Sequence, residues 1–199
     1  RYDTQQPFKQ AGAWDAFDVG ESHSQQSAAF DGRYIYFAPG FTGDPSKEDT
    51  LSGRVLRFDT TASFKNKDSY CSVDITAFLG EEAACFDGAA FDGRYVYLVP
   101  LQTGKAVRYD TQAEFDQSLS WEVFDAASQG MDMCVGAVFD GRYLYYVAYA
   151  NSVILRFDTT GCFTDKKYWS SYNADMTGGL DTGGFDGGFF DGCFVYFVA

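Results

Sequence analysis

The sequence is poor in the residues that most site chemistry needs. It has one histidine, His23, and five cysteines, none before Cys71. No pair of cysteines has CxxC spacing, so a closed zinc site of Cys and His ligands is not expected. Neither a GxSxG elbow nor a phosphate-cradling GxxxxGK[ST] loop occurs. Basic residues are scarce: 8 Arg and 7 Lys stand against 22 Asp and 6 Glu, giving a formal net charge of -13 and a pI near 4.3. Nucleic acids and anionic membranes need a basic footprint, so partners are expected to be neutral, cationic or metal ions. No apolar run approaches the roughly 20 residues that cross a bilayer, and no basic n-region with an apolar h-region follows Arg1, so membrane insertion is not expected. The chain starts without Met and inside a repeat, which reads as a processed chain or a fragment, with a secreted or organellar origin left open. An odd cysteine count leaves at least one thiol unpaired in a monomer.

What the sequence has is aromatic rings and repetition. Apolar residues make up 46% of the 199 residues and aromatics 19%, with 20 Phe and 14 Tyr, which excludes a disordered chain and a coiled coil. One block, FDGRYIYF from Phe30, returns from Phe91 (FDGRYVYL), Phe139 (FDGRYLYY) and Phe190 (FDGCFVYF). A second block, Arg-Tyr/Phe-Asp-Thr, begins at Arg1, Arg57, Arg108 and Arg156. It is followed at fixed spacing by Phe8, Phe64, Phe115 or Phe163, and then by Trp14, Tyr70, Trp121 or Trp169.

Asp-Gly between two apolar runs is a strong hairpin signal, read here as a type I′ turn with positive φ at both central residues. The run after each turn is apolar on both faces, as in a strand covered on both sides. Each period of about 50 residues then holds four short antiparallel strands that cannot bury both faces alone, and radial copies solve that problem. The fold expected is all-β: a single four-bladed β-propeller over residues 1–199, four antiparallel strands per blade, with blades 1 to 3 in 19–173. The closing blade is built from both termini, 1–18 and 174–199, and strand pairing must hold it because no disulfide can. Small pairs preceding each FDG block, Ser27-Ala28, Gly88-Ala89, Gly136-Ala137 and Gly187-Gly188, fit innermost strands converging on an axis.

The pattern FDGRYVY, then RYDT, then F with W resembles tandem repeats of uncharacterised bacterial and algal proteins. The overall plan resembles kelch-like and hemopexin-like propellers. The repeat resemblance covers essentially the whole chain. Cys193 and Phe194 depart from it where Arg and Tyr stand elsewhere, as does Tyr70 in place of Trp. The resemblance implies the fold and no assigned activity; hemopexin-like propellers imply binding and an ion in the axial channel.

In such a meander the Asp-Gly and Asp-Thr turns share one face, and the longer, variable connections share the other. The segment from Ala38 to Arg54 is ten residues longer than its counterparts, which makes the loop-bearing face the first choice for binding. Candidate ligand-binding residues are Phe41, Asp44, Glu48, Asp49 and Asn151. Asp87 and Asp186 occupy one repeat position in opposite blades, where two facing carboxylates at the channel mouth would suit Ca²⁺ or another hard cation. The recurring arginines are expected to pair from blade to blade and to stack on Tyr or Phe, and the tryptophans to pack the outer strands rather than stack on sugars. The function expected is non-catalytic: a binding or scaffold propeller showing its loop face to a protein or glycan. The alternatives are a carbohydrate-active hydrolase with carboxylates near the mouth and a structural subunit of a larger complex.

Overall fold

A computed structural model describes residues 1–20, 23–43 and 50–199. The first blade is the meander β1 (His23–Phe30), β2 (Tyr34–Thr42), β3 (Arg54–Asp59) and β4 (Tyr70–Asp74). The second is β5 (Phe86–Phe91), β6 (Tyr95–Pro100), β7 (Lys105–Asp110) and β8 (Trp121–Asp125). The third is β9 (Cys134–Phe139), β10 (Tyr143–Ala148), β11 (Val153–Asp158) and β12 (Trp169–Asn173). In the fourth, β13 (Gly187–Phe190) pairs with β14 (Val195–Val198). The fold is therefore an all-β propeller with four blades.

The FDGRYxY block is built around its aspartate. Asp31 Oδ1 accepts the backbone amides of Arg33 (2.8 Å) and Tyr34 (2.6 Å), and its Oδ2 accepts the Tyr36 hydroxyl (2.8 Å). Asp92, Asp140 and Asp191 repeat the arrangement with Tyr97, Tyr145 and Tyr196. Positive φ falls on the glycine alone, from 99° to 104° at Gly32, Gly93, Gly141 and Gly192, and not on the aspartate. The expected type I′ turn is thus corrected to one with Gly-Arg, or Gly-Cys in the fourth blade, at the centre. The aspartate stands at the strand end and caps the turn with its side chain, which spares it the left-handed region.

The arginine of this block reaches the Asp-Thr stop of the same blade. Arg33, Arg94 and Arg142 pair with Asp59, Asp110 and Asp158, each at 2.7 Å. These clamps place both turns on one face, as expected, but the pairing is within a blade and not between blades. Between blades the link is cation–π: Arg57 lies over Phe115 of the next blade at 4.3 Å and Arg108 over Phe163 at 4.9 Å. Each also stacks on a tyrosine of its own blade, Tyr34 and Tyr95. The fixed Phe-to-Trp spacing has a direct cause. Trp14, Trp121 and Trp169 donate their indole N–H to the carbonyls of Phe8, Phe115 and Phe163 at 2.7–2.9 Å, and the Tyr70 hydroxyl does the same to Phe64 at 2.9 Å. Tyrosine thus replaces tryptophan here with the donor position kept.

The core lies between blades, as ridges of aromatic and aliphatic side chains shared by consecutive sheets. Phe124 stacks on Trp169 at 4.1 Å and 6° between planes, and Tyr36 meets Tyr109 and Phe115 of the next blade. Burying each such ring is worth roughly 1.5–3 kcal/mol. At the axis space is short: a Cβ on Gly88 would stand 2.7 Å from the Gly136 Cα.

The fourth blade differs from the expectation of one continuous sheet. Its inner pair, β13–β14, packs against blade 3 through Phe185, Phe190, Val195 and Phe197. Its outer part, residues 1–17, packs against blade 1, with Arg1 over Phe64 at 4.3 Å, Phe17 stacked on Tyr70 and Asp15 paired with Lys65. Tyr2 bridges Trp14 in the register that Phe58–Tyr70, Tyr109–Trp121 and Phe157–Trp169 keep elsewhere. Among the described residues no ladder joins β14 to residues 1–3. Cys193 stands in this blade where the other three carry the clamping arginine, so no equivalent of the Arg33–Asp59 pair is made to Asp3. The five cysteines are all free thiols, and Cys85 and Cys134 are buried.

Candidate functional site at the axial mouth

The four innermost strands converge on a pocket of about 370 Å³ on the loop-bearing face, lined by Gln26, Ser27, Asp87, Gly88, Val135, Gly136, Gly187 and Gly188 among others. Small residues at these positions let the strands approach, and the space left at the mouth is what a larger side chain would have filled. A bulge positions Asp87: the β5–β6 pairing passes from Phe86–Pro100 to Ala89–Leu98, so Asp87 and Gly88 together oppose one residue. Burial, with the Asp186 carboxylate adding to it, pushes the Asp87 carboxyl above its ordinary range. Of the two carboxylates singled out from the sequence, Asp87 lines this pocket and the Asp186 charge acts on it. Among the described residues no cluster of three or more His, Cys, Asp or Glu side chains with metal-site geometry occurs, so any cation here would draw its remaining ligands from backbone carbonyls and water.

The other candidates fare differently. Asp44, Glu48 and Asp49 lie outside the described residues. The base of their segment is a continuation of the β2–β3 hairpin, with Phe41 bridging Leu51, Thr42 N–H donating to Thr50 O and Ser52 N–H to Gly40 O. Phe41 is half-buried at that base, where its amide donates to Ser24 Oγ. Asn151 belongs to the β10–β11 turn of the opposite blade, and its amide is spent on loop structure: it donates to Gly130 O and accepts from Val153 N–H. Phe41 and Asn151 share a face of the molecule but are not brought into one site.

A further pocket of about 400 Å³ was missed by sequence reasoning. Leu79 and Gly80 at the end of α1 (Thr76–Leu79) line it with Glu81, Glu82, Lys105, Val123 and Asp125. Lys105 is held between Glu82 and Asp125, each at 3.3 Å. No repeat position marks this site, since it arises where an inter-blade connection crosses the next blade's outer strand.

On the opposite face three aspartates are held by arginines of their own blades. Arg94 holds the Asp110 carboxyl below its usual range, and Arg142 with Thr160 holds Asp158 down to about 2. Trp121 and Trp169 are buried, which leaves their faces unavailable to a sugar.

No protein-family model and no curated protein sequence matches the chain. Among solved structures it is similar to a catalytically inactive virginiamycin B lyase from Staphylococcus aureus with quinupristin, at 9% identity and a TM-score of 0.52, over 90% of this chain and 64% of that one. The selenomethionine form of that lyase gives 8% identity and 0.52, with the same coverage of 90% and 64%. The β-propeller domain of Myceliophteria thermophila Cps50 (Swd1) is 11% identical with a TM-score of 0.44, over 69% of this chain and 38% of that one. The chain spans between 33% and 64% of the length of these and the other structures it resembles. At such identities the likeness shows the propeller fold and nothing finer.

Proposed function

We propose that the protein is a non-catalytic binding propeller that presents its loop-bearing face to a protein partner with a basic surface. One observation carries this reading: the Asp87 carboxyl opens into the axial pocket on the loop-bearing face with no arginine clamp, whereas on the opposite face Asp59, Asp110 and Asp158 are each clamped by an arginine. Glu81, Asp132, Asp175 and Asp181 also lie in connections of the loop-bearing face, and Glu82 there is paired with Lys105. A cationic side chain inserted between the Asp87 and Asp186 carboxylates relieves their repulsion, and surrounding carboxylates steer it there. A Lys- and Arg-rich peptide is expected to bind in calorimetry, more weakly as salt rises, and to lose most of its affinity for the Asp87→Asn/Asp186→Asn variant. Binding on a glycan array without any effect of that variant would move the reading to a glycan partner. Turnover of glycosides by the same sample would replace it with the hydrolase.

A second reading rests on the same pair. Two carboxylates across a narrow axis fit a hard cation such as Ca²⁺ completed by backbone carbonyls and water. Calcium is then expected to raise the melting temperature of the native protein and to have no effect on Asp87→Asn; equal responses of both, or none, would remove the ion.

A further inference from the structure

Each outer hairpin sets the arginine of its Arg-Tyr/Phe-Asp-Thr block opposite one residue of the neighbouring strand, and the four copies can be compared. In blade 2 Arg108 faces Glu122 in the β7–β8 ladder, and its Nε donates to the carboxylate at 2.6 Å. In blade 3 Arg156 faces Ser170, and its Nε donates to the hydroxyl at 3.3 Å. In residues 1–17 the Arg1 Nε donates to the Asp15 carboxylate at 3.4 Å, one step along from the Tyr2–Trp14 bridge. In all three the Nε is aimed at an oxygen of the opposing side chain. Blade 1 keeps the register, and there the residue facing Arg57 is Cys71.

The Arg57 Nε is buried and has no hydrogen-bond partner. Its guanidinium lies between the rings of Tyr34 at 4.4 Å and Phe115 at 4.3 Å, with the Tyr109 hydroxyl beside it, so the rings hold its plane in place. A buried donor without a partner is costly, and a thiol sulfur is a weak acceptor. Cys71 itself is an exposed free thiol. Blade 2 shows that this geometry joins a reachable residue to a covered arginine: the Glu122 side chain is 35% exposed and that of Arg108 7%.

We propose that Cys71 is an oxidation site whose sulfinate is captured by Arg57, in the place that the Glu122 carboxylate holds for Arg108. The co-reactant is a hydroperoxide. The Cys71 thiolate attacks a peroxide oxygen, and an S–O bond forms as the O–O bond breaks. The departing hydroxide takes the proton of the new sulfenic acid, leaving sulfenate and water; the sulfur loses two electrons and the peroxide gains them. A second equivalent repeats the exchange on the sulfenate and gives the sulfinate. Like a carboxylate, that group presents two oxygens sharing one negative charge, and one of them meets the Nε in a charge-assisted hydrogen bond. Cys162 and Cys193 are exposed too, but neither lies opposite an arginine in a strand ladder, so oxidation there adds no such bond.

The test compares two forms of the full chain. Cys162→Ser/Cys193→Ser keeps Cys71 as its exposed thiol, and Cys71→Ser/Cys193→Ser keeps Cys162. Each is treated with hydrogen peroxide, the product at that thiol is established by peptide mass spectrometry, and melting is compared with the untreated sample. The form with Cys71 is expected to gain two oxygen atoms there and to melt about 2–4 °C higher. The form with Cys162 is expected to show no rise, and adding Arg57→Gln to the first form is expected to abolish its rise. Should Arg57→Gln fail to fold, Cys71→Asp against Cys71→Asn in the otherwise native chain decides, with the carboxylate expected to melt higher than the amide by a similar margin. An untouched Cys71, a disulfide in place of the sulfinate, a sulfinate without a rise, an equal rise in the Cys162 form or with Arg57→Gln, or Cys71→Asp no better than Cys71→Asn would each overturn the proposal.

Discussion

A single aspartate per repeat does several jobs, and its titration makes that visible. The Arg142 guanidinium and the Thr160 hydroxyl hold Asp158 at about 2 in the folded chain, against about 3.9 when unfolded. A lowered folded value contributes stability that is complete above the unfolded value and fades as pH falls toward 2. The urea midpoint is therefore expected to drop between pH 4 and 2, less steeply in Arg142→Gln. Asp87 has the opposite sign: its folded value is raised by burial and by Asp186, so stability is lost as pH rises through it. Asp87→Asn is expected to raise the melting temperature at pH 7 in the absence of divalent cations, with the gain shrinking toward pH 4. An unchanged or lower melting temperature at pH 7 would contradict the coupling across the axis.

At the scale of elements, the same repeat position has different weights in different blades. Trp121 is buried between two sheets and bonded to the Phe115 carbonyl at 2.9 Å; Trp121→Ala is expected to cost about 3–5 kcal/mol in chemical denaturation. Trp14→Ala, at the half-exposed copy, is expected to cost well under half of that. Glycines of the axial strands divide in the same way. Gly88→Ala forces a Cβ to 2.7 Å from the Gly136 Cα at a φ of 146°, and is expected to be destabilising by a few kcal/mol. Gly187→Ala meets nothing within 4 Å and is expected to be neutral within about 0.5 kcal/mol. The repeat made this much legible, because strand, turn and stop recur wherever Asp-Gly, Arg-Tyr/Phe-Asp-Thr and the Phe-to-Trp spacing recur. Turn type was not legible, since Asp-Gly reads as type I′ until the aspartate's three acceptor contacts are seen. Nor was the direction of the Arg–Asp pairing, because equal sequence periods cannot separate a partner in the same blade from one in the next. Repeat position singles out Asp87 and Asp186, whereas the pocket beside Lys105 has no repeat signature and depended on how one connection crosses its neighbour.

At the scale of the whole molecule, stability should grade from the middle blades to the seam. β6, β7, β10 and β11 each have a paired strand on both sides, and the residues of β6, β7 and β10 are largely buried. β14 has one hydrogen-bonded neighbour, and the segment 1–17 has an isolated bridge in place of a sheet. Hydrogen exchange is expected to be slowest in the first group and fastest at the seam, by several orders of magnitude; uniform protection around the wheel would show a closed ring in solution. The free thiols give the same gradient a chemical readout. Burial raises the Cys85 thiol to about 11 and the Cys134 thiol to about 12, while Cys71, Cys162 and Cys193 are exposed. An alkylating reagent at neutral pH should thus label three positions at once and reach the remaining two only when blade 2 or blade 3 opens. The protein carries, without any engineering, a separate clock for the unfolding of each of its central blades.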